Sequence, residues 1–272
     1  MKKMSRMQEL LEIMATLRDP QNGCDWDKKQ TFDSIIPYTI EETFEAVDAI
    51  ERQEWADVRD ELGDLLFQIV FYSQLGKEQG LFEFEDIAGA MCDKLLRRHP
   101  HVFGEKDADG NPLEKADWEG IKAQERAAKA KPDAELSILD DVPTSLPALG
   151  RAAKLQKRCA RFGFDWDSVG PVAEKVQEEL DEVMEEALMV DVDQERVDEE
   201  VGDLLFAAVN LARHLGTNPE MALRKANMKF ESRFRKIEMK LRDNGKKLQE
   251  SEPDELENLW QEVKRDEGNK LT

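Results

Sequence analysis

Two stretches of this chain set acids three residues apart, twice each. Glu42 and Glu45 are followed by Glu61 and Asp64, and further along Glu179 and Glu182 are followed by Glu200 and Asp203. Residues three apart share one side of a helix. Each quartet could therefore converge if its two helices lie side by side. Two unit charges ~4 Å apart repel by about 4 kcal/mol at a surface-like dielectric, so such a group takes up protons or a cation. Oxygen ligands without histidine or cysteine suit a hard ion, Mg²⁺ or Mn²⁺. Mg²⁺ commonly accepts substrate phosphates as its remaining ligands. The rival reading is a solvated acidic face: with 60 acids in 272 residues, a random pair three apart is doubly acidic about one time in twenty. One such pair would carry no weight. Recurrence of both pairs, in the same order, does.

Basic and aromatic residues follow each acidic set at matched distance. Lys94 and Arg98 lie four apart, as do Lys229 and Arg233, so each pair projects from one helical face. They are either ion-pair partners for glutamates or a phosphate clamp, with Arg as a forked donor and Lys as a point charge. Trp118/Lys122 and Trp260/Lys264 are also one helical turn apart. Each offers an aromatic face for a base and an ammonium for a phosphate, unless the tryptophan serves only as core. Asn227, a two-sided hydrogen bonder, stands in the second half where the first has Cys92, and Lys175 precedes Glu179 by one turn.

The elements that must position these residues are helical. Runs of β-branched residues with period two are absent, and Leu62, Leu65, Leu66, Ile69 and Val70 fall on one helical stripe that Val201, Leu204, Leu205, Ala208 and Val209 repeat. The octapeptide Asp60–Phe67 returns as Glu199–Phe206, and Asp25-Trp26-Asp27 returns as Asp165-Trp166-Asp167. Order is kept and only loop lengths drift, which points to two homologous helical bundles from an internal duplication. Pro132, Pro143 and Pro147 mark an extended connection between them. The expected organisation is a first repeat over 1–128, a linker over 129–147 and a second repeat over 148–272. Gly63 and Gly202 precede Asp64 and Asp203 and cost about 1 kcal/mol against Ala within a helix; close backbone approach, ligand access or a tight helix crossing would each account for them.

Charge and composition exclude several classes. A net charge of −21 repels nucleic acid and anionic membrane. No window approaches 18 uninterrupted apolar residues, and no signal-peptide order is present. The expectation is a soluble cytoplasmic protein. Cys24, Cys92 and Cys159 are odd in number and lack metal spacing, which predicts free and mostly buried thiols. No ExxH pair or His-Asp dipeptide exists, which argues against a di-iron bundle and a histidine-dependent phosphohydrolase. His214 is solitary, and His99 falls where the other half has Phe234.

With EExxE, a spacer and ExxD in hand, the chain resembles the MazG family of nucleoside triphosphate pyrophosphohydrolases in its two-repeat bacterial form. Arg97-Arg-His-Pro-His-Val-Phe103, Glu61-Leu-Gly-Asp-Leu-Leu-Phe67 and Val209-Asn-Leu-Ala-Arg-His-Leu-Gly216 strengthen the likeness. It implies an all-α fold, a homodimer, Mg²⁺ held by the carboxylates, and hydrolysis of an NTP to NMP and pyrophosphate. On that likeness Glu179, Glu182, Glu200 and Asp203 are metal ligands, as Glu42, Glu45, Glu61 and Asp64 are in the first half. Lys175, Asn227, Lys229, Arg233, Trp260 and Lys264 then hold nucleotide and phosphates, with Glu178 or Glu41 beside the ligands. Members usually carry Cys-Pro-Trp-Asp and then Gln-Thr-His in the first loop, where this chain has Cys24-Asp25-Trp26-Asp27 and Gln30-Thr31-Phe32. That departure shifts weight to the second site. The competing class is a helical dimer that binds nucleotides without turnover or serves a structural role.

Overall fold

The computed structural model describes residues 5–105, 120, 121, 125 and 137–268. Every regular element among them is helical. Close Cα neighbours divide the chain into two compact units, residues 1–128 and 129–272, and each is taken by itself.

The first unit holds α1 (Arg6–Leu17), α2 (Phe32–Arg52), α3 (Trp55–Glu78), α4 (Phe84–Arg98) and the short α5 (Pro100–Phe103). Helix starts are written locally. Ser5 caps α1 through the Gln8 amide in a reciprocal box, and Thr31 does the same for α2 with Ser34. Gln53 leaves α2 in the left-handed region at φ 60°, and within two residues α3 begins, so the two long helices pack along their lengths. Met14, Ile35, Val70, Phe71 and Leu75 are the buried core between α1, α2 and α3. At its edge Arg18 is almost wholly buried: it donates to Glu78 at 2.9 and 2.7 Å and to the carbonyls of Asp27 and Gln30. One guanidinium thereby ties the end of α1, the end of α3 and the Trp26 loop together. It also holds the Glu78 carboxyl below its ordinary range.

The second unit holds α6 (Ala148–Ala160), α7 (Val169–Ala187), α8 (Gln194–His214), α9 (Pro219–Asp243) and α10 (Pro253–Gly268). Glu186 on α7 pairs with Arg196 on α8 at 2.5 Å, while Glu179 and Glu182 meet Glu200; descending numbers against ascending ones make the pair antiparallel. The α9–α10 pair is antiparallel by the same argument, since Lys240 meets Glu262 at 2.7 Å and Lys236 meets Glu267 at 2.5 Å. Its core is Ile237, Leu241 and Val263, flanked by Phe234, Leu259 and Trp260.

Two expectations are corrected. Cys24 and Cys92 are exposed and Cys159 is half-buried; Cys24 lies in the loop before α2, and α4, which carries Cys92, has no fully buried residue. A tight crossing within either unit does not account for Gly63 or Gly202, because a Cβ added at either position meets nothing within 4 Å.

Candidate active site

Helical register brings the acids together in both units. Glu42 and Glu45 from α2 meet Glu61 from α3, and Glu179 and Glu182 from α7 meet Glu200 from α8; in each trio one carboxylate oxygen from every residue lies within 4.8 Å of the others. Asp64 and Asp203 sit one turn beyond Glu61 and Glu200 on α3 and α8 and complete neither trio at that distance. Asp64 is still near enough to act. Burial, then the charges of Asp64, Glu45 and Glu61, raise the Glu42 carboxyl above its ordinary value, and Glu61 is raised by burial, Glu45 and Asp64. Glu182 is raised by burial and by Glu179.

The second cluster differs from the first in what stands beside it. Lys175, one turn before Glu179, contacts it at 2.6 Å and Glu178 at 2.9 Å, and these two carboxylates push the ammonium pKa up. The first unit has Tyr38 at that position. Glu179 is 5% exposed, and its Oε2 is buried without a hydrogen-bond partner. Glu179, Asp203 and Lys175 all face a cavity of about 370 Å³ walled by Phe164, Trp166, Val172, Phe206 and Ala207. Asn210 and Gln156, both more than nine-tenths buried, line it as well. Seven residues after Asp203 the chain places Asn210; seven after Asp64 it places Phe71, which is wholly buried in the first unit's core.

The wall that carries Trp166 is fastened from below. Asp165 accepts from Arg213 at 2.9 Å and lies 2.8 Å from His214 Nε2. Arg213 chiefly, with His214, holds the Asp165 carboxyl down at about 2. His214, solitary in sequence, thus has its partner 49 residues away.

The expected clamp residues are placed on α9 and α10. Arg233 donates to Glu267 at 2.8 Å, and its guanidinium carbon lies 5.6 Å from the Trp260 ring centroid. Lys236 joins the same carboxylate and, with Arg233, depresses its pKa. Arg98 in the first unit meets Glu125 at 2.5 Å, shared with Arg97 at 2.8 Å; the Glu125 carboxyl is held at about 2. Asn227, Lys229 and Lys264 are exposed and Lys94 half-buried. Trp118 and Lys122 lie outside the described residues. Sequence reasoning missed Glu125 and Glu267, although both close a repeated Trp-x3-Lys-x2-Glu spacing. It also missed Gln156 and Asn210, whose signal was a polar side chain intruding on an apolar stripe.

Residues 30–103 match the family model described as the MazG nucleotide pyrophosphohydrolase domain. The chain is 56% identical, over 97% of its length and 99% of the relative's, to the nucleoside triphosphate pyrophosphohydrolase of Escherichia coli strain K12. The chain belongs to the MazG family. The Thermotoga maritima MazG protein, named a nucleoside triphosphate pyrophosphohydrolase/pyrophosphatase, is 42% identical over 94% of this chain and 95% of its own. A Mycobacterium tuberculosis nucleoside triphosphate pyrophosphohydrolase is 30% identical over 79% of this chain and 65% of its own. The MazG model falls on the first unit and covers Glu42, Glu45, Glu61 and Asp64, whereas the cavity accompanies the second.

Proposed function

We propose that the second unit houses the working site of this nucleoside triphosphate pyrophosphohydrolase, which cleaves NTPs to NMP and pyrophosphate. The observation that carries the assignment is the convergence of Glu179, Glu182 and Glu200 at the edge of a cavity that also exposes Lys175 and Asp203. The donor set fits Mg²⁺, or Mn²⁺, because it is all oxygen and includes a buried carboxylate atom with no partner of its own. Glu179, Glu182, Glu200 and Asp203 would hold the ion. Bound there, it would neutralise the triphosphate and supply Lewis acidity toward phosphoryl oxygens.

The chain's own residues do the rest. Apolar walls receive the nucleoside and exclude water from it. Lys175 can exchange its carboxylate partners for phosphate oxygens, and Lys229, Arg233 and Lys264 offset charge on the departing pyrophosphate. Glu178, more than half exposed and held by Lys175, is the carboxylate we assign to take the proton from the attacking water. Trp260, under Arg233, and Asn227 orient the phosphate end. In the first unit Glu42, Glu45, Glu61 and Asp64 would hold the equivalent ion, with Lys94, Arg98, Trp118 and Lys122 as its phosphate side. Tyr38 and Phe71 replace Lys175 and Asn210 there, so we assign turnover to the second unit.

The recurrence of helix order, acid trios and Arg–Glu pairs supports an internal duplication, with repeats over 1–128 and 148–272 joined by 129–147. A second copy of this chain is the proposed partner: Leu180, Met184, Val201 and Leu205 on α7 and α8, and Ile40 and Phe44 on α2, are exposed apolar side chains beside the acid clusters. No helix among the described residues is long and apolar enough to cross a membrane.

The test is product identification with purified protein, Mg²⁺ and a panel of NTPs and dNTPs. NMP with stoichiometric PPi, abolished by EDTA and restored by Mg²⁺, supports α-phosphorus attack. NDP with Pi sinks it, and the absence of turnover favours a binding module.

A further inference from the structure

The cavity beside Glu179 holds two buried amides whose hydrogen bonding is half complete. Gln156, on α6, donates its Nε2 to the Phe206 carbonyl on α8 at 2.9 Å. A carbonyl only accepts, so this bond fixes which way the amide points. Gln156 Oε1 is left buried with no partner. Asn210 is fixed in the opposite sense: its Oδ1 accepts from Arg213 Nε at 2.9 Å and Nη2 at 2.7 Å. Its remaining capacity is that of an NH₂ donor. The side chains are 9% and 6% exposed, and both line the same apolar-walled cavity.

A buried acceptor without a partner is costly and rare in folded proteins. Asn210 is not needed where it stands to fill a core, as the first unit shows by placing Phe71 seven residues after Asp64. We infer that Gln156 and Asn210 read the edge of the substrate's base, Gln156 Oε1 accepting from an N–H of the base and the Asn210 amide donating to its neighbouring acceptor. This rests on the assignment of the second unit as the site of triphosphate cleavage. The ligand class is a planar heterocycle with a donor beside an acceptor. Adenine and cytosine meet that with an exocyclic amine next to a ring nitrogen, guanine and uracil with a ring N–H next to a carbonyl. The volume admits a bicyclic base. The pair therefore selects a nucleobase as such and discriminates weakly among the four.

Base analogues test the pairing on the unaltered enzyme. ATP is compared with purine riboside triphosphate, which lacks the exocyclic N–H, and with 1-deaza-ATP, which lacks the ring acceptor. Each deletion should lower kcat/KM about tenfold, the worth of one neutral hydrogen bond, mainly through KM. Gln156→Met, similar in volume, should collapse the first ratio toward one while keeping the second. Asn210→Asp retains the bonds to Arg213 but not the donor, and should collapse the second while keeping the first. Equal kcat/KM for all three nucleotides with the wild type, in an enzyme whose PPi release Glu179→Ala abolishes and Glu42→Ala spares, overturns the inference without touching the site assignment. Ratios unchanged in both variants overturn it too. If the wild type releases no PPi from any nucleotide, the assignment falls and the inference with it.

Discussion

Single residues separate the two acid clusters more sharply than the clusters themselves. Glu179→Ala should lower kcat by on the order of 10²–10³ or more, with circular dichroism unchanged, whereas Glu42→Ala should retain most of the turnover. Comparable loss in both would mean that both units work. Asp165 carries a second prediction, about pH. Its carboxyl is depressed from 3.8 to about 2 by Arg213 and His214, so its contribution to stability is present above pH ~4 and lost as pH falls through ~2. Asp165→Asn should thus unfold at lower temperature than the wild type at pH 7, with the gap closing near pH 2; a pH-independent gap would assign the effect to packing. The acids were legible in the sequence because helical spacing alone puts them on one side. The partners of Gln156 and of the Asp165–Arg213–His214 group were not, because they lie 48 to 50 residues away, and no local pattern encodes a contact at that range.

At the scale of elements, the α9–α10 pair stands on its own small core. Ile237, Leu241 and Val263 are each 1% exposed, so Leu241→Ala should cost about 2–5 kcal/mol. Hydrogen exchange should show the loss concentrated in α9 and α10 if that pair opens as a unit; uniform loss across the second unit would join it to α7 and α8. Helix type and order were readable from the apolar period, whereas the caps at Ser5, Thr31 and Asn218 come from the structure. Which helices pair by charge was not, since Glu267 and Glu125 look like any other exposed acid until Arg233 and Arg98 are found against them.

For the whole molecule, Gly63 and Gly202 bear on assembly. With open space at their Cβ positions, alanine should stabilise an isolated chain by up to about 1 kcal/mol at each. If a second copy lies against α3 and α8, Gly202→Ala should instead weaken association, read by sedimentation as a rising monomer fraction. Unaltered association with a raised melting temperature would place the partner elsewhere. A dimer also fits the apolar side chains that α7 and α8 leave exposed on a chain otherwise so acidic.

The Arg233–Glu267 pair has a consequence for how the enzyme meets its ionic surroundings. On the phosphate role proposed for Arg233, an arriving triphosphate would displace a carboxylate already seated there, so binding would be an exchange of one anion for another that releases few counterions. Meanwhile the net charge of −21 repels the approaching nucleotide, and added KCl weakens that repulsion by shortening its reach to ~8 Å at 0.15 M. KM should therefore stay level or fall as KCl rises toward that concentration. Removing the exchange partner with Glu267→Gln should turn the profile over, giving a tighter KM in dilute buffer that worsens as the electrolyte is raised.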